Sequence, residues 1–245
     1  MRRLGIVGYG DFIHFFVPHL KPFFDEIIVY SRRDVSIDAQ RAGAEQKSFE
    51  EVCSCEFVCN AVVVQYFEET MQKILPYLQQ DACVFDVCSV KEIPIEIMKQ
   101  YVPNNCHIIA THPLFGPNSG KNGIKGLNMV LINVRASDKI LNFFDEMFFE
   151  MKLRLHYITA KKHDEDMAYV QALSHFIAQG IKEFGGLRQN TLITTQAYES
   201  LLDIEENISR DSWLLFESIE KYNNYSKDIR DKFVASLEIV NKKLR

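Results

Sequence analysis

Two short apolar runs near the middle of the chain end abruptly in polar residues. The run at residues 82–87 leads to Ser89 and Lys91, and the run at residues 108–110 leads to His112 in a Gly/Pro-rich loop. Short apolar runs with a helical pattern between them are typical of parallel strands in an α/β sheet. Because ligands bind at the carboxyl ends of such strands, a hydroxyl, an ammonium and an imidazole are predicted to lie where chemistry occurs.

The same alternation of patterns extends over the first 158 residues. The predicted strands are residues 3–7, 26–30, 57–64, 82–87, 108–110, 129–134 and 153–158. Alternating β and α units predict a doubly wound, Rossmann-like, mostly parallel sheet. We therefore expect residues 1–158 to form a dinucleotide-binding domain.

The pattern becomes helical after residue 158, and the chain contains no proline beyond that point. The predicted helices are residues 161–184, 192–202, 212–222 and 227–244. Their wide apolar faces need partners, which indicates a second subunit. Residues 159–245 are thus expected to form a smaller all-helical domain for substrate binding and homodimer formation.

Charge and composition argue against a nucleic-acid-binding protein and against a membrane protein. The net charge of −5 gives no basic surface for nucleic acid, and no apolar run reaches the length that crosses a bilayer. The six cysteines form no Cys-x-x-Cys pair, and several lie within apolar runs. We predict buried thiols in a reduced, cytoplasmic protein, with no metal site and no membrane partner.

A glycine turn follows the first predicted strand. Gly8 and Gly10 fit the first two glycines of a dinucleotide-binding fingerprint, which permit a tight turn and close approach of a pyrophosphate. Ile13 stands at the third position and is expected to push or tilt the next helix away from the sheet. Asp11 places a carboxylate near the expected phosphates. The alternative is a glycine turn that binds nothing.

A basic turn follows the second predicted strand. An acidic residue there would favour NAD, whereas Ser31, Arg32 and Arg33 suit the 2′-phosphate of NADP. Arginine matches phosphate geometry with two parallel hydrogen bonds. The turn therefore predicts NADP as the cofactor, and the alternative is a solvated basic turn.

Two longer motifs resemble a known family. Asp86-Val87-x-Ser89-Val90-Lys91 and the string from Thr111 to Gly123, Thr-His-Pro-x-Phe-Gly-Pro-x-Ser-Gly-Lys-Asn-Gly, closely resemble arogenate and prephenate dehydrogenases. The second string resembles the plant-type arogenate members most, and the resemblance covers most of the chain. It implies an oxidoreductase of tyrosine biosynthesis, which removes a hydride from a cyclohexadienol as carbon dioxide leaves.

The resemblance assigns a role to the histidine of the His-Pro motif. His112 is expected to accept the proton of the substrate hydroxyl, since a neutral imidazole is near its working pKa at neutral pH. Ser89 is expected to hydrogen-bond that hydroxyl or to orient His112. Lys91 could bind a substrate carboxylate, or it could pair with Glu92 or Asp86 as part of the scaffold.

Further substrate contacts are expected from two other segments. Asn118 and Ser119 lie in the Gly/Pro-rich loop and could hold the substrate side chain. Gln171 and His175 are four residues apart within a helical stretch that again resembles the family, so one helix face could close the site. Asp211, in Asp-Ser-Trp, resembles the Asp-Ser-Phe of plant-type enzymes and could pair with the amine that arogenate has and prephenate lacks.

These residues predict an NADP-dependent arogenate dehydrogenase. Prephenate or dual specificity is the alternative within the family. A non-catalytic or regulatory Rossmann-like protein is the alternative of another class, since Asp11 and Ile13 depart from the fingerprint. A different oxidoreductase of the same architecture, acting on 3-hydroxy acids, is a third possibility.

Overall fold

The computed structural model describes residues 2–189, 191–208 and 212–245, apart from the side chain of Asn207. The chain divides into two compact units, Met1–Ala160 and Lys161–Arg245. The functions that we assign to the two predicted domains stay predictions.

The first unit is built on a sheet with eight strands among the described residues, in the order β3-β2-β1-β4-β5-β6-β7-β8. The strands are β1 Arg3–Val7, β2 Glu26–Tyr30, β3 Glu45–Gln46, β4 Phe57–Asn60, β5 Cys83–Asp86, β6 His107–Pro113, β7 Asn128–Arg135 and β8 Arg154–His156. Neighbouring strands are parallel except β6 and β7, which are antiparallel. The predicted doubly wound, Rossmann-like sheet is confirmed.

Helices cover both faces of this sheet. They are α1 Asp11–Leu20, α2 Ser36–Ala42, α3 Phe49–Cys53, α4 Phe67–Ile74, α5 Glu92–Tyr101 and α6 Asp138–Glu150. Ile27 and Val29 of β2 face the core under α1, α2 and α6, whereas Ile28 faces the core under α3, α4 and α5. Strands buried on both faces are continuously apolar, which explains why the sequence runs were recognisable.

Two predicted strand ends differ from the structure by three residues or more. β4 ends at Asn60 and not at residue 64, because residues 64–66 form a helical turn that leads into α4. β6 extends to Pro113 and not only to residue 110, because β7 pairs beside it with Val130 opposite His112. His112 therefore lies in a strand and not in a loop, and its backbone is held by the sheet.

The contacts of Ile13 and Gly5 show how closely α1 and α3 pack against the sheet. Ile13 is buried and packs in the core beneath α1, so the helix accommodates this side chain within its contact with the sheet. The close approach occurs instead at Gly5, where an added Cβ would lie 1.9 Å from the carbonyl oxygen of Val52. Any side chain at Gly5 would displace α3.

The second unit is helical. Its elements are α7 Ala160–Met167, a π-helical segment Ala168–Leu173, α8 Ser174–Glu183, α9 Gln196–Ile208, α10 Trp213–Tyr222 and α11 Ser226–Lys243. The predicted continuous helix at residues 161–184 is thus interrupted by a wider turn. Within α7, His163 Nδ1 lies 2.7 Å from the carboxylate of Asp164, and both side chains are fully buried.

All six cysteines are buried thiols in the first unit, as predicted. Burial raises the pKa of Cys53 to about 12 and that of Cys55 to about 11. Among the described residues no helix combines the length and apolarity that a membrane span requires.

Candidate active site

Polar residues and glycines of the first unit lie at or just beyond the carboxyl ends of adjacent strands, along one edge of the sheet. Ser31 follows β2, Gly8 follows β1, Asn60 ends β4, Ser89 follows β5, and His112 lies near the end of β6. The strand order β2-β1-β4-β5-β6 arranges them in that sequence. The edge therefore presents a basic turn at one end and a serine with a histidine at the other.

The glycine turn has the geometry that a dinucleotide requires. Gly8 has a φ of +105°, and its amide donates to the carbonyl of Tyr30 at 2.9 Å. An added Cβ at Gly8 would lie 2.9 Å from the carbonyl oxygen of Ala61, whereas one at Gly10 would meet nothing within 4 Å. The space at Gly10 is thus open where a pyrophosphate would approach.

The first turn of α1 is available to an anion. No side chain among the described residues caps this helix at Gly10. Its first N–H groups therefore point to the open space without a partner within the helix, as at helix N-termini that bind phosphate. The exposed carboxylate of Asp11 lies in the same turn and would repel a pyrophosphate.

The basic turn presents two arginines to solvent. Arg32 and Arg33 are exposed, and the amide of Arg33 donates to Ser31 Oγ at 3.2 Å. The nearby acidic residue, Asp34, accepts from the hydroxyl and the amide of Ser36 at 2.7 and 3.0 Å. These bonds lower the pKa of Asp34, so this carboxylate is engaged with the first residue of α2.

A buried polar network joins the ends of β5 and β6. Lys91 Nζ donates to Asp86 Oδ2 and, at 2.6 Å, to the carbonyl of Thr111, and the side chains of Lys91 and Asp86 are fully buried. Asp86 also accepts from the amides of Cys88 at 2.9 Å and Thr111 at 3.3 Å. The Thr111 hydroxyl donates to the carbonyl of Asp86 at 2.5 Å.

This network fixes the backbone immediately before each of the candidate catalytic groups. Cys88 immediately precedes Ser89, and Thr111 immediately precedes His112, a residue that is 3% exposed. Lys91 was expected either to bind a substrate carboxylate or to form a structural ion pair. The structure favours the second alternative, with Asp86 as the partner. A contact with substrate would require Lys91 to leave a fully buried ion pair.

The Gly/Pro-rich loop after β6 is braced by its own contacts. Ser119 Oγ accepts from the amide of Gly116 at 2.9 Å. Phe115 is buried and packs edge-on against Phe15 and Phe16 of α1, with ring centroids 6.4 and 6.0 Å apart. The loop that carries Asn118 and Ser119 is thereby tied to the helix that begins at the glycine turn.

Gln171 and His175 lie on either side of the junction between the π-helical segment and α8. Gln171 lies in the π-helical segment, where the wider turn alters the four-residue spacing of an α-helix. His175 Nδ1 lies 2.9 Å from the carbonyl of Gln171, and burial lowers the pKa of His175 to about 4. Gln171 Oε1 is buried without a hydrogen-bond partner among the described residues. Asp211 lies outside the described residues.

Two polar residues of this edge were not predicted from the sequence. Asn60 is fully buried, and its Oδ1 has no hydrogen-bond partner among the described residues. A lone amide within an apolar run was the signal that could have identified it. Gln46 bonds to the backbone of the basic turn, and nothing in its sequence neighbourhood indicates that contact.

Comparisons with known proteins agree with this geometry. A family model described as "Prephenate dehydrogenase, nucleotide-binding domain" matches residues 21–155, and one described as "TYRAAT1-like, C-terminal domain" matches residues 185–245. Arogenate dehydrogenase 1, chloroplastic, of Arabidopsis thaliana is 29% identical over 99% of this chain and 39% of that protein. Arogenate dehydrogenase 2, chloroplastic, of the same species is 28% identical over 99% of this chain and 70% of that protein.

The fold is shared with a solved structure, that of prephenate dehydrogenase from A. aeolicus in complex with hydroxyphenyl propionate and NAD+. The TM-score is 0.76 at 18% sequence identity, and the match covers 100% of this chain and 91% of that one. The sheet, the glycine turn and the first family match define a nucleotide-binding dehydrogenase. Because that match covers more than half of the chain, the chain belongs to the prephenate dehydrogenase family, together with its arogenate dehydrogenase relatives.

Proposed function

We propose that the protein is an NADP-dependent arogenate dehydrogenase, which converts arogenate to tyrosine by oxidative decarboxylation. The observation that carries the proposal is the row of groups along one sheet edge, from the basic turn through the glycine turn to Ser89 and His112. The similarity to two plant arogenate dehydrogenases supports arogenate as the substrate.

The cofactor would be held at three points. The backbone of Gly8 and Gly10 and the first turn of α1 would bind the pyrophosphate, and Arg32 and Arg33 would bind the 2′-phosphate, with Ser31 beside them. The nicotinamide, when bound, accepts the hydride from the carbinol carbon of the substrate. The open space at Gly10 and the exposed arginines fit this placement.

His112 would accept the proton of the substrate hydroxyl at one of its ring nitrogens, and Ser89 would hydrogen-bond the same hydroxyl. Loss of that proton supports departure of the hydride, and carbon dioxide leaves as the ring becomes aromatic. Lys91 would act as a positioning residue, because the Asp86–Lys91–Thr111 network fixes the strand ends that carry both groups. A precise geometry of this kind is what a proton-transfer step requires.

The remaining substrate contacts stay predictions. Asn118 and Ser119 belong to the loop after β6. The other proposed substrate-binding residues belong to the second unit: Gln171, His175 and Asp211. Gln171 Oε1 is buried and has no hydrogen-bond partner within the part of the chain that the structure describes, which supports a role for this amide in recognising a polar group.

Assembly and location are also proposals. Leu237 and Val240 of α11 are each more than half exposed, which supports a homodimer formed through the helical unit. We propose a cytoplasmic location, which the free, buried thiols support; both Arabidopsis relatives are named as chloroplastic.

The test is an absorbance assay for the reduced cofactor, with arogenate and prephenate supplied separately and each combined with NADP or NAD. We expect turnover with arogenate and NADP above the other three combinations. Turnover with prephenate alone would establish the alternative specificity. Because Asp11 opposes a pyrophosphate, a non-catalytic role is the second candidate, and failure to bind either cofactor in calorimetry would establish it.

A further inference from the structure

The side chain of Gln46 spans the basic turn from the neighbouring strand. The amide of Val35 donates to Gln46 Oε1 at 2.7 Å, and Gln46 Nε2 donates to the carbonyl of Arg33 at 2.9 Å and to that of Ser31 at 3.3 Å. Both N–H groups of the amide and its oxygen are thus engaged with the backbone of a single turn.

The position of Gln46 suits this task. β3 has only two residues, and Gln46 pairs with Val29 of β2, one residue before the strand ends at Tyr30. Beyond that strand the turn continues to Val35, which is buried in the core. Gln46 therefore holds the turn at both ends of the exposed pair Arg32 and Arg33.

An ordered turn is what a phosphate site needs. Arginine binds a phosphate bidentately only when its fork is presented at the correct angle. A turn that is already fixed loses less conformational entropy when the phosphate docks. Gln46 also hydrogen-bonds the carbonyl oxygens of Ser31 and Arg33. Without these bonds either oxygen could turn toward the phosphate, and its partial negative charge would repel the phosphate.

We propose that Gln46 is a positioning residue for cofactor selection, which holds the turn of Ser31, Arg32 and Arg33 in the conformation that recognises an adenosine 2′-phosphate. This inference rests on the proposed NADP dependence. It predicts that Gln46 affects discrimination between phosphorylated and unphosphorylated adenosine, and not catalysis.

The test replaces Gln46 with methionine, which keeps the length of the side chain and removes its hydrogen bonds. Isothermal titration calorimetry measures the binding of adenosine 2′,5′-bisphosphate and of 5′-AMP to the full chain. We expect Gln46→Met to weaken the bisphosphate by about 5- to 20-fold and to change 5′-AMP by less than about 2-fold. The matched control is Gln80→Met. Gln80 is exposed and precedes the amino end of β5, so its replacement should change the affinity for neither nucleotide.

A double substitution tests whether Gln46 acts through the arginine. Arg32→Ala and Gln46→Met should together weaken the bisphosphate by less than the product of their separate effects, because both remove the same contact. If Gln46→Met fails to fold by circular dichroism, Gln46→Asn carries the same expectation, because its shorter amide cannot reach all three backbone groups.

Each outcome separates this inference from the proposed function. Equal weakening of both nucleotides would show a general structural role and overturn the inference. A wild-type preference for the bisphosphate that is undiminished in Gln46→Met would overturn the inference and leave NADP dependence intact. A wild-type protein without that preference would overturn both the 2′-phosphate assignment and the role of Gln46.

Discussion

Lys91→Met should destabilise the first unit strongly, because it removes one partner of a fully buried ion pair. The substitution abolishes the bonds from Lys91 Nζ to Asp86 and to the carbonyl of Thr111 and leaves the Asp86 carboxylate buried. Breaking a buried pair in this way costs about 3–5 kcal/mol. Asp86 retains the amides of Cys88 and Thr111 as donors, so we expect a loss near the lower end, about 3 kcal/mol.

A double variant shows whether the uncompensated charge is the cause. Asp86→Asn combined with Lys91→Met removes the charge along with its partner and should recover about half or more of the lost stability. The matched control is Lys73→Met, which breaks an exposed pair with Glu69 on α4, where the side chains are 62% and 63% exposed. That control should leave stability nearly unchanged, because solvent screens an exposed pair.

The assay is urea unfolding followed by far-ultraviolet circular dichroism, together with a thermal melt. A loss of 3 kcal/mol should lower the melting temperature by roughly 6–12 °C for a domain of this size. Equal stability of Lys91→Met and Lys73→Met would refute the reasoning. A folded Lys91→Met variant with unchanged kcat and a strongly raised KM for arogenate would instead assign Lys91 to the substrate, since a positioning role should lower kcat.

Four further substitutions test other parts of the site. His112→Asn should lower kcat by about 100-fold or more with NADP affinity nearly unchanged, and near-normal turnover would remove His112 from the mechanism. Arg32→Ala should raise KM for NADP about 10-fold without a matching change for NAD, and equal effects would contradict the phosphate assignment. Asp11→Asn should tighten NADP binding about 3- to 10-fold at low salt in calorimetry, an effect that salt should diminish. Burial lowers the pKa of His175 to about 4, so the unfolded chain binds the extra proton between that pH and the ordinary value near 6.5. Stability should therefore fall as the pH drops through this window, and His175→Gln should flatten the fall in urea unfolding at neutral and mildly acidic pH.

The sequence predicts the fold well where local pattern decides the structure. β1 and β2 have the predicted bounds, because apolar runs buried on both faces end at recognisable turns. β6 does not, because its last three residues are strand only through pairing with β7, a partner some twenty residues away in the chain. The π-helical segment could not be predicted from the sequence either, because its residues have ordinary helical periodicity.

Local sequence also predicts some of the candidate site residues, whereas the roles of others depend on contacts that are distant in the chain. Ser89, His112 and the two glycines could be predicted because each lies at or shortly after the end of an apolar run, and the carboxyl ends of parallel strands converge at one edge. The choice between scaffold and substrate for Lys91 was undecidable from sequence, because the answer depends on the carbonyl of Thr111, twenty residues away, and on complete burial. Gln46 was missed for the same reason, since it acts on a turn that precedes it by more than ten residues.

The fingerprint at the glycine turn shows why a motif is weaker than the geometry behind it. A third glycine is expected where α1 packs on the sheet, yet Ile13 fills that position and is buried in the core. What the pyrophosphate needs is a left-handed residue at Gly8 and open space at Gly10, and both are present. We therefore expect cofactor binding to depend on Asp11, whose exposed carboxylate lies in the first turn of α1, and not on the missing glycine.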